Sequence, residues 1–86
     1  MIPLIGCQVS LYPLGTDRYE QRIRSALEAL EQSPVRVEVG PMSTFLWGKE
    51  DDIWLAVQAL FRAASQGGAS TVLTLTVSNA CSVPEA

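Results

Sequence analysis

Eighty-six residues, 48% hydrophobic and 17% charged, make one small folded domain spanning 1–86, with no room for a second core. A net charge of −3, six scattered Lys and Arg and no histidine exclude a nucleic-acid surface and remove the usual general base at neutral pH. No stretch nears the ~20 apolar residues of a membrane span, and the opening residues lack the basic segment of an export signal. No membrane insertion and a cytoplasmic location are therefore expected.

In chain order, Ile5, Cys7, Val9 and Leu11 alternate with Gly6, Gln8, Ser10 and Tyr12. That period of two marks a half-buried strand, ended by Pro13 and Gly15. Asp17 with Glu20 three residues later predicts a capped helix start. Tyr19, Ile23, Ala26, Leu27 and Leu30 then recur at helical spacing until Ser33-Pro34. Arg18, Arg22 and Arg24 beside Glu20 and Glu28 read as the solvated side of that helix.

Val35, Val37 and Val39 alternate with Arg36 and Glu38 in a second strand. Gly40-Pro41 turns the chain into a third strand from Met42 to Trp47. Glu50, Asp51 and Asp52 suit the positive end of a second helix, whose stripe is Ile53, Val57, Leu60, Phe61 and Ala64, with Trp54 at its edge. Gly67-Gly68 stops it. Leu73, Leu75 and Val77 alternate with Thr74, Thr76 and Ser78 in a fourth strand, and 79–86 read as a loose tail.

The order β-α-β-β-α-β predicts an α+β, ferredoxin-like domain: a four-stranded antiparallel sheet with both helices on one face. Strands one and three lie in its middle. The other face would carry Gln8, Ser10, Thr74, Thr76 and Ser78, with Arg36 and Glu38 at its edge. It is either a wet surface or a contact with a second copy. A domain this short buries only roughly 60–65% of its unfolded surface, which favours self-association.

Little in the chain supports catalysis. Zinc-like spacing, a glycine-rich phosphate loop and the four cysteines of an iron–sulfur cluster are all missing. No catalytic residue, metal or cofactor is expected. Cys7 and Cys81 read as two packed thiols, with their pairing open. Asp51-Asp52 is explained by the helix start, a magnesium site being the other reading. Trp47 and Trp54 serve packing or stack on an aromatic ligand. Antiparallel pairing of the middle strands brings Ser43 and Thr44 near Ser10 to Tyr12. Their hydroxyls either satisfy strand-end backbone groups or form a small neutral binding site.

Gly6-Cys7-Gln8-Val9-Ser10-Leu11-Tyr12-Pro13-Leu14, Met42-Ser43-Thr44-Phe45-Leu46-Trp47-Gly48 and Val77-Ser78-Asn79-Ala80-Cys81 together resemble the YkoF-type family of thiamine-binding proteins. Relatives tend to end the fourth strand with Cys-Pro, where this chain has Cys81-Ser82. The resemblance implies a non-enzymatic binder of thiamine or its hydroxymethylpyrimidine portion, tied to uptake or salvage of that vitamin. It also implies that Leu11 and Thr44 contact the ligand, with Ser10, Tyr12 and Ser43 supporting them. YkoF-type chains carry two such units and this chain carries one, so a homodimer is expected, with a tetramer possible. The competing reading is an oligomeric regulatory or assembly module that binds another small metabolite.

Overall fold

The computed structural model describes residues 4–40 and 43–80. Its elements are β1 (Leu4–Pro13), α1 (Tyr19–Glu31), β2 (Arg36–Val39), β3 (Thr44–Lys49), α2 (Glu50–Ala64), a 3₁₀ turn (Gln66–Gly68) and β4 (Thr71–Ser78). The sheet is antiparallel throughout, in the order β2-β3-β1-β4. This is the ferredoxin-like arrangement expected from the sequence, with β1 and β3 in the middle.

Alternation in the strands decides which side chains meet the helices. Ile5, Cys7 and Val9 of β1 and Leu46 of β3 are buried against Ala26 and Leu30 of α1 and Ile53, Ala56, Val57, Leu60 and Ala64 of α2. Leu30, Leu46, Ile53 and Leu60 are fully buried, each worth about 2 kcal/mol relative to exposure. Ala26 and Ala56 are fully buried as well, and their small side chains suit helices that lie side by side. Leu75 faces the same way, opposite Val9, yet remains 40% exposed because β4 is an edge strand.

Several local expectations need correction. β1 runs on through Tyr12 and Pro13, which pair with Val72 and Thr71. Proline is tolerated there because the ladder with β3 has its last pair at Val9↔Thr44, so that side of β1 is an edge. The Asp17–Glu20 capping box does not form. The first helical residue is Tyr19, no side chain caps the helix, and the Arg18 N–H instead donates to Thr16 Oγ1 at 3.0 Å. A hydroxyl two residues back competes well for such a donor.

Tyr19 and Phe61 were expected in the apolar stripes but stand 52% and 42% exposed. Tyr19 is the first residue of α1, and Phe61 is turned aside because Val57, Leu60 and Ala64 already fill the inner face of α2. β3 begins at Thr44 and continues to Lys49, directly into α2, while Met42 lies outside the described residues. Gly67 and Gly68 do adopt positive φ (71° and 75°), although in the 3₁₀ turn after α2 has ended at Ala64. Of the expected tail, Asn79 and Ala80 form a bend closed by Ala80 N–H on Ser78 Oγ (3.0 Å), and 81–86 lie outside the described residues.

Arg22 is the largest departure. It does not belong to a solvated helix side but is half-buried between α1, the end of α2 and the start of β4. Its Nε and Nη2 donate to the Ala64 carbonyl at 3.1 and 2.8 Å, and Nη2 also donates to Ser70 O (2.9 Å) and Thr71 Oγ1 (2.6 Å). Nη1 reaches Leu14 O at 3.4 Å. The last carbonyls of a helix lack intrahelical partners, and a cation at that end also meets the negative pole of the helix dipole.

Candidate functional site

Where β3 ends its pairing with β1, a hollow of about 210 Å³ opens between the sheet and α1. Val9, Ser10 and Leu11 line it from β1, Ile23 and Leu27 from α1, Leu60 from α2, and Val39, Gly40, Ser43 and Thr44 from the β2–β3 connection. Geometry explains the vacancy. Beyond Val9↔Thr44 no further β3 partner covers β1, so the Ser10–Leu11 backbone edge lines a space instead of continuing the ladder. The connection is held by Gly40 N–H donating to Ser43 O at 2.8 Å. A Cβ on Gly40 would stand 2.9 Å from that same carbonyl oxygen, so the turn is built around glycine.

Four of the five residues singled out from the sequence therefore come together: Ser10, Leu11, Ser43 and Thr44, all partly buried. Tyr12 does not join them. It is 51% exposed and lies opposite Val72 on the other side of the sheet. The apolar walls, Ile23, Leu27 and Leu60, were legible only as helix-stripe residues, because periodicity does not distinguish a core position from a pocket position. No charged side chain lines the hollow among the described residues. Such a site can hold a flat, neutral group between apolar walls and a few short polar groups.

The opposite face of the sheet holds a second feature. Trp47 pairs with Gly6 and Phe45 with Gln8, so both aromatic side chains share a face with Gln8, Thr76 and Ser78. Phe45 and Trp47 are stacked, with centroids 5.7 Å apart and planes at 19°. The sequence reading of this face, as small neutral residues with Arg36 and Glu38 at the edge, omitted these two rings. Applying the two-residue period to β3 as well as β1 would have found them. Trp54 is on α2 instead, 41% exposed, its indole N–H donating to Glu50 Oε2 at 3.2 Å.

Cys7 points into the core, and burial raises its thiol above the ordinary value of 9.0. A thiol held neutral in this way is a poor nucleophile and a poor metal ligand. Cys81 lies outside the described residues. Among the described residues no group of three or more His, Cys, Asp and Glu side chains is placed to hold a metal ion. Asp51 and Asp52 sit in the first turn of α2. No helix among the described residues is long and apolar enough to cross a membrane.

Solved structures with the same architecture accompany this geometry. A domain of unknown function from Bacillus cereus is 28% identical with a TM-score of 0.77, covering 88% of this chain and 75% of that one. A Thermotoga maritima protein provisionally assigned to thiamine biosynthesis or salvage is also 28% identical, with a TM-score of 0.76 and coverage of 87% and 82%. A hypothetical protein from Methanocaldococcus jannascii shares the fold at 23% identity, with a TM-score of 0.80 and coverage of 88% and 79%. No curated protein matches the chain. The model of the YKOF-related Family matches residues 4–84, nearly the whole of the sequence. This chain belongs to the YKOF-related family.

Proposed function

We propose that this protein binds thiamine, or its hydroxymethylpyrimidine portion, without catalysing a reaction, in the uptake or salvage of that vitamin. The observation that carries the reading is the hollow in which Ser10, Leu11, Ser43 and Thr44 meet. At about 210 Å³ it exceeds the roughly 150 Å³ that accommodates a benzene ring, leaving room for substituents on a single ring. Its uncharged lining favours a neutral aminopyrimidine over a diphosphate. Leu11, Ile23 and Leu27 wall the ring, the Thr44 hydroxyl makes one hydrogen bond, and the backbone of Ser10 and Leu11 meets the aminopyrimidine edge. Tyr12 has no part in this site. Membership of the YKOF-related family and the thiamine assignment of the Thermotoga protein support the choice of ligand.

The test is calorimetric titration with thiamine. Thr44→Val, which keeps the shape and removes the hydroxyl, is expected to weaken binding by about 2- to 10-fold, the worth of one neutral hydrogen bond. Its melting temperature should stay close to the parent's. An absence of both heat and melting shift at millimolar thiamine would remove the proposal.

Self-association belongs to the same reading, with a homodimer preferred. Tyr12, Phe45 and Val72 on the outer sheet face and Trp54, Leu55 and Phe61 on α2 leave apolar surface in water, which supports it.

A further inference from the structure

A polar hollow of about 270 Å³ lies where the start of α1 meets the end of α2. Thr16, Arg18, Gln21, Arg22 and Ser25 line it from the α1 side, and Gln66 lines it from just beyond α2. It is built from the helices and their flanking loops, so it shares no residue with the Ser10–Thr44 hollow or with the open face of the sheet. Two arginines give it its sign. No Asp or Glu lines it, and Asp17 and Glu20, the nearest acids in sequence, are exposed and lie outside it.

The donors are only partly used. Among the described residues the Arg18 guanidinium has neither a hydrogen-bond nor an ion-pair partner. Arg22 commits Nε and Nη2 to Ala64, Ser70 and Thr71, but its Nη1 meets only the Leu14 carbonyl, at 3.4 Å. One of the two N–H groups on Nη1 is left over. The same bonds cover the last carbonyl of α2, so the negative pole of that helix is not bare toward an incoming anion. Thr16 Oγ1 accepts from the Arg18 N–H, which leaves its own O–H to donate, and Gln21 and Gln66 carry amide donors. Ser25 spends its O–H on the Gln21 carbonyl.

We propose that this hollow binds a phosphate group, free or at the end of a small phosphorylated molecule. Arginine meets two phosphate oxygens with parallel N–H groups, which suits the unpartnered Arg18. The remaining donors come from the loop before α1, from α1 itself and from the turn after α2, and a tetrahedral oxyanion presents oxygens in as many directions. A flat carboxylate serves two. The volume exceeds the roughly 150 Å³ that takes up benzene, so space remains beside the phosphate for an organic portion. This site stands on residues other than those of the vitamin-binding proposal, so either can fail alone.

The experiment is titration of the intact chain with inorganic phosphate at constant ionic strength, followed by nitrogen-15 NMR of the backbone amides. Saturable shifts are expected at Arg18, Gln21 and Gln66, while Ser10 and Thr44 stay in place. Arg18→Gln, at an exposed position, should weaken binding about 10-fold, the share of one charge-assisted hydrogen bond. Ser25→Glu, also exposed, sets a carboxylate at the hollow and should abolish the shifts. Both variants should melt near the parent, because neither touches the Arg22 network. A parallel titration with glycerol 3-phosphate separates the sources: tighter binding than inorganic phosphate assigns the site to a phosphorylated molecule, equal or weaker binding to the free ion. Shifts that drift without saturating, that acetate reproduces at the same concentration, or that persist undiminished in both variants overturn the proposal. So does the absence of any shift at millimolar phosphate.

Discussion

Arg22 shows how much a single side chain can decide in so small a protein. Its guanidinium joins the last carbonyl of α2, the Ser70 carbonyl and the Thr71 hydroxyl at the start of β4. Two segments distant in sequence, the end of α2 and the start of β4, are thus fastened at one point on α1. Because α1 also supplies Ile23 and Leu27 to the hollow, the latch holds one wall of the candidate site in place. Arg22→Ala is expected to cost about 2–3 kcal/mol of stability, read by urea denaturation, since charged donors are lost from partly buried acceptors. Arg22→Lys should recover only part of that, because an ammonium cannot reproduce the flat fork that reaches several acceptors at once. A parent-like midpoint for Arg22→Ala would reduce the network to surface decoration. Nothing in the local sequence distinguishes Arg22 from Arg18 or Arg24. Its role depends on acceptors more than forty residues away in the chain.

Among the elements, the connection between β2 and β3 matters most. Gly40 N–H and Ser43 O close it, and both residues line the hollow. Gly40→Ala would set a Cβ at 2.9 Å from the Ser43 carbonyl oxygen, a backbone atom that can move only by reshaping the turn. The expected destabilisation is about 1–3 kcal/mol, the usual cost of forcing extra volume into a packed place. Thiamine binding should weaken with it, because Ser43 and Thr44 move with the turn. The comparison that decides is the thermal melt of Gly40→Ala beside its thiamine titration. A variant that loses stability and binds normally would separate the turn from the site. The sequence signalled the turn through Gly40-Pro41 and the strands through their alternating valines. The expected start at Met42 lies outside the described residues, and Ser43, as strand-compatible as Thr44, is left out of β3 because the pairing with β1 sets the first rung at Thr44.

At the scale of the whole molecule, one sheet separates two unlike surfaces. Helices cover one side and enclose the core, while the other side carries Phe45, Trp47 and Tyr12 among serines, threonines and a glutamine. A domain of this size leaves much apolar area wet, so a second copy is the economical cover. Sedimentation equilibrium at micromolar concentration should therefore give twice the mass of one chain, and a strictly monomeric result would remove the homodimer from the reading. Leu55→Glu and Thr74→Glu, both at exposed positions on opposite sides of the molecule, identify the surface involved: the variant that dissociates the dimer marks it.

Local periodicity alone was enough to determine the elements, their order and the ferredoxin-like topology, because each strand and helix must bury one regular face whatever its neighbours are. It also drew Ser10, Leu11, Ser43 and Thr44 together, since antiparallel pairing sets the start of one middle strand beside the end of the other. Tertiary structure alone decided that Tyr12 turns away from them, that Arg22 is a latch, and that Phe45 and Trp47 stack on the open face of the sheet. Each of these depends on register and on which distant atoms fill or leave empty the space around a side chain, and neither quantity is written in the spacing of residues along the chain.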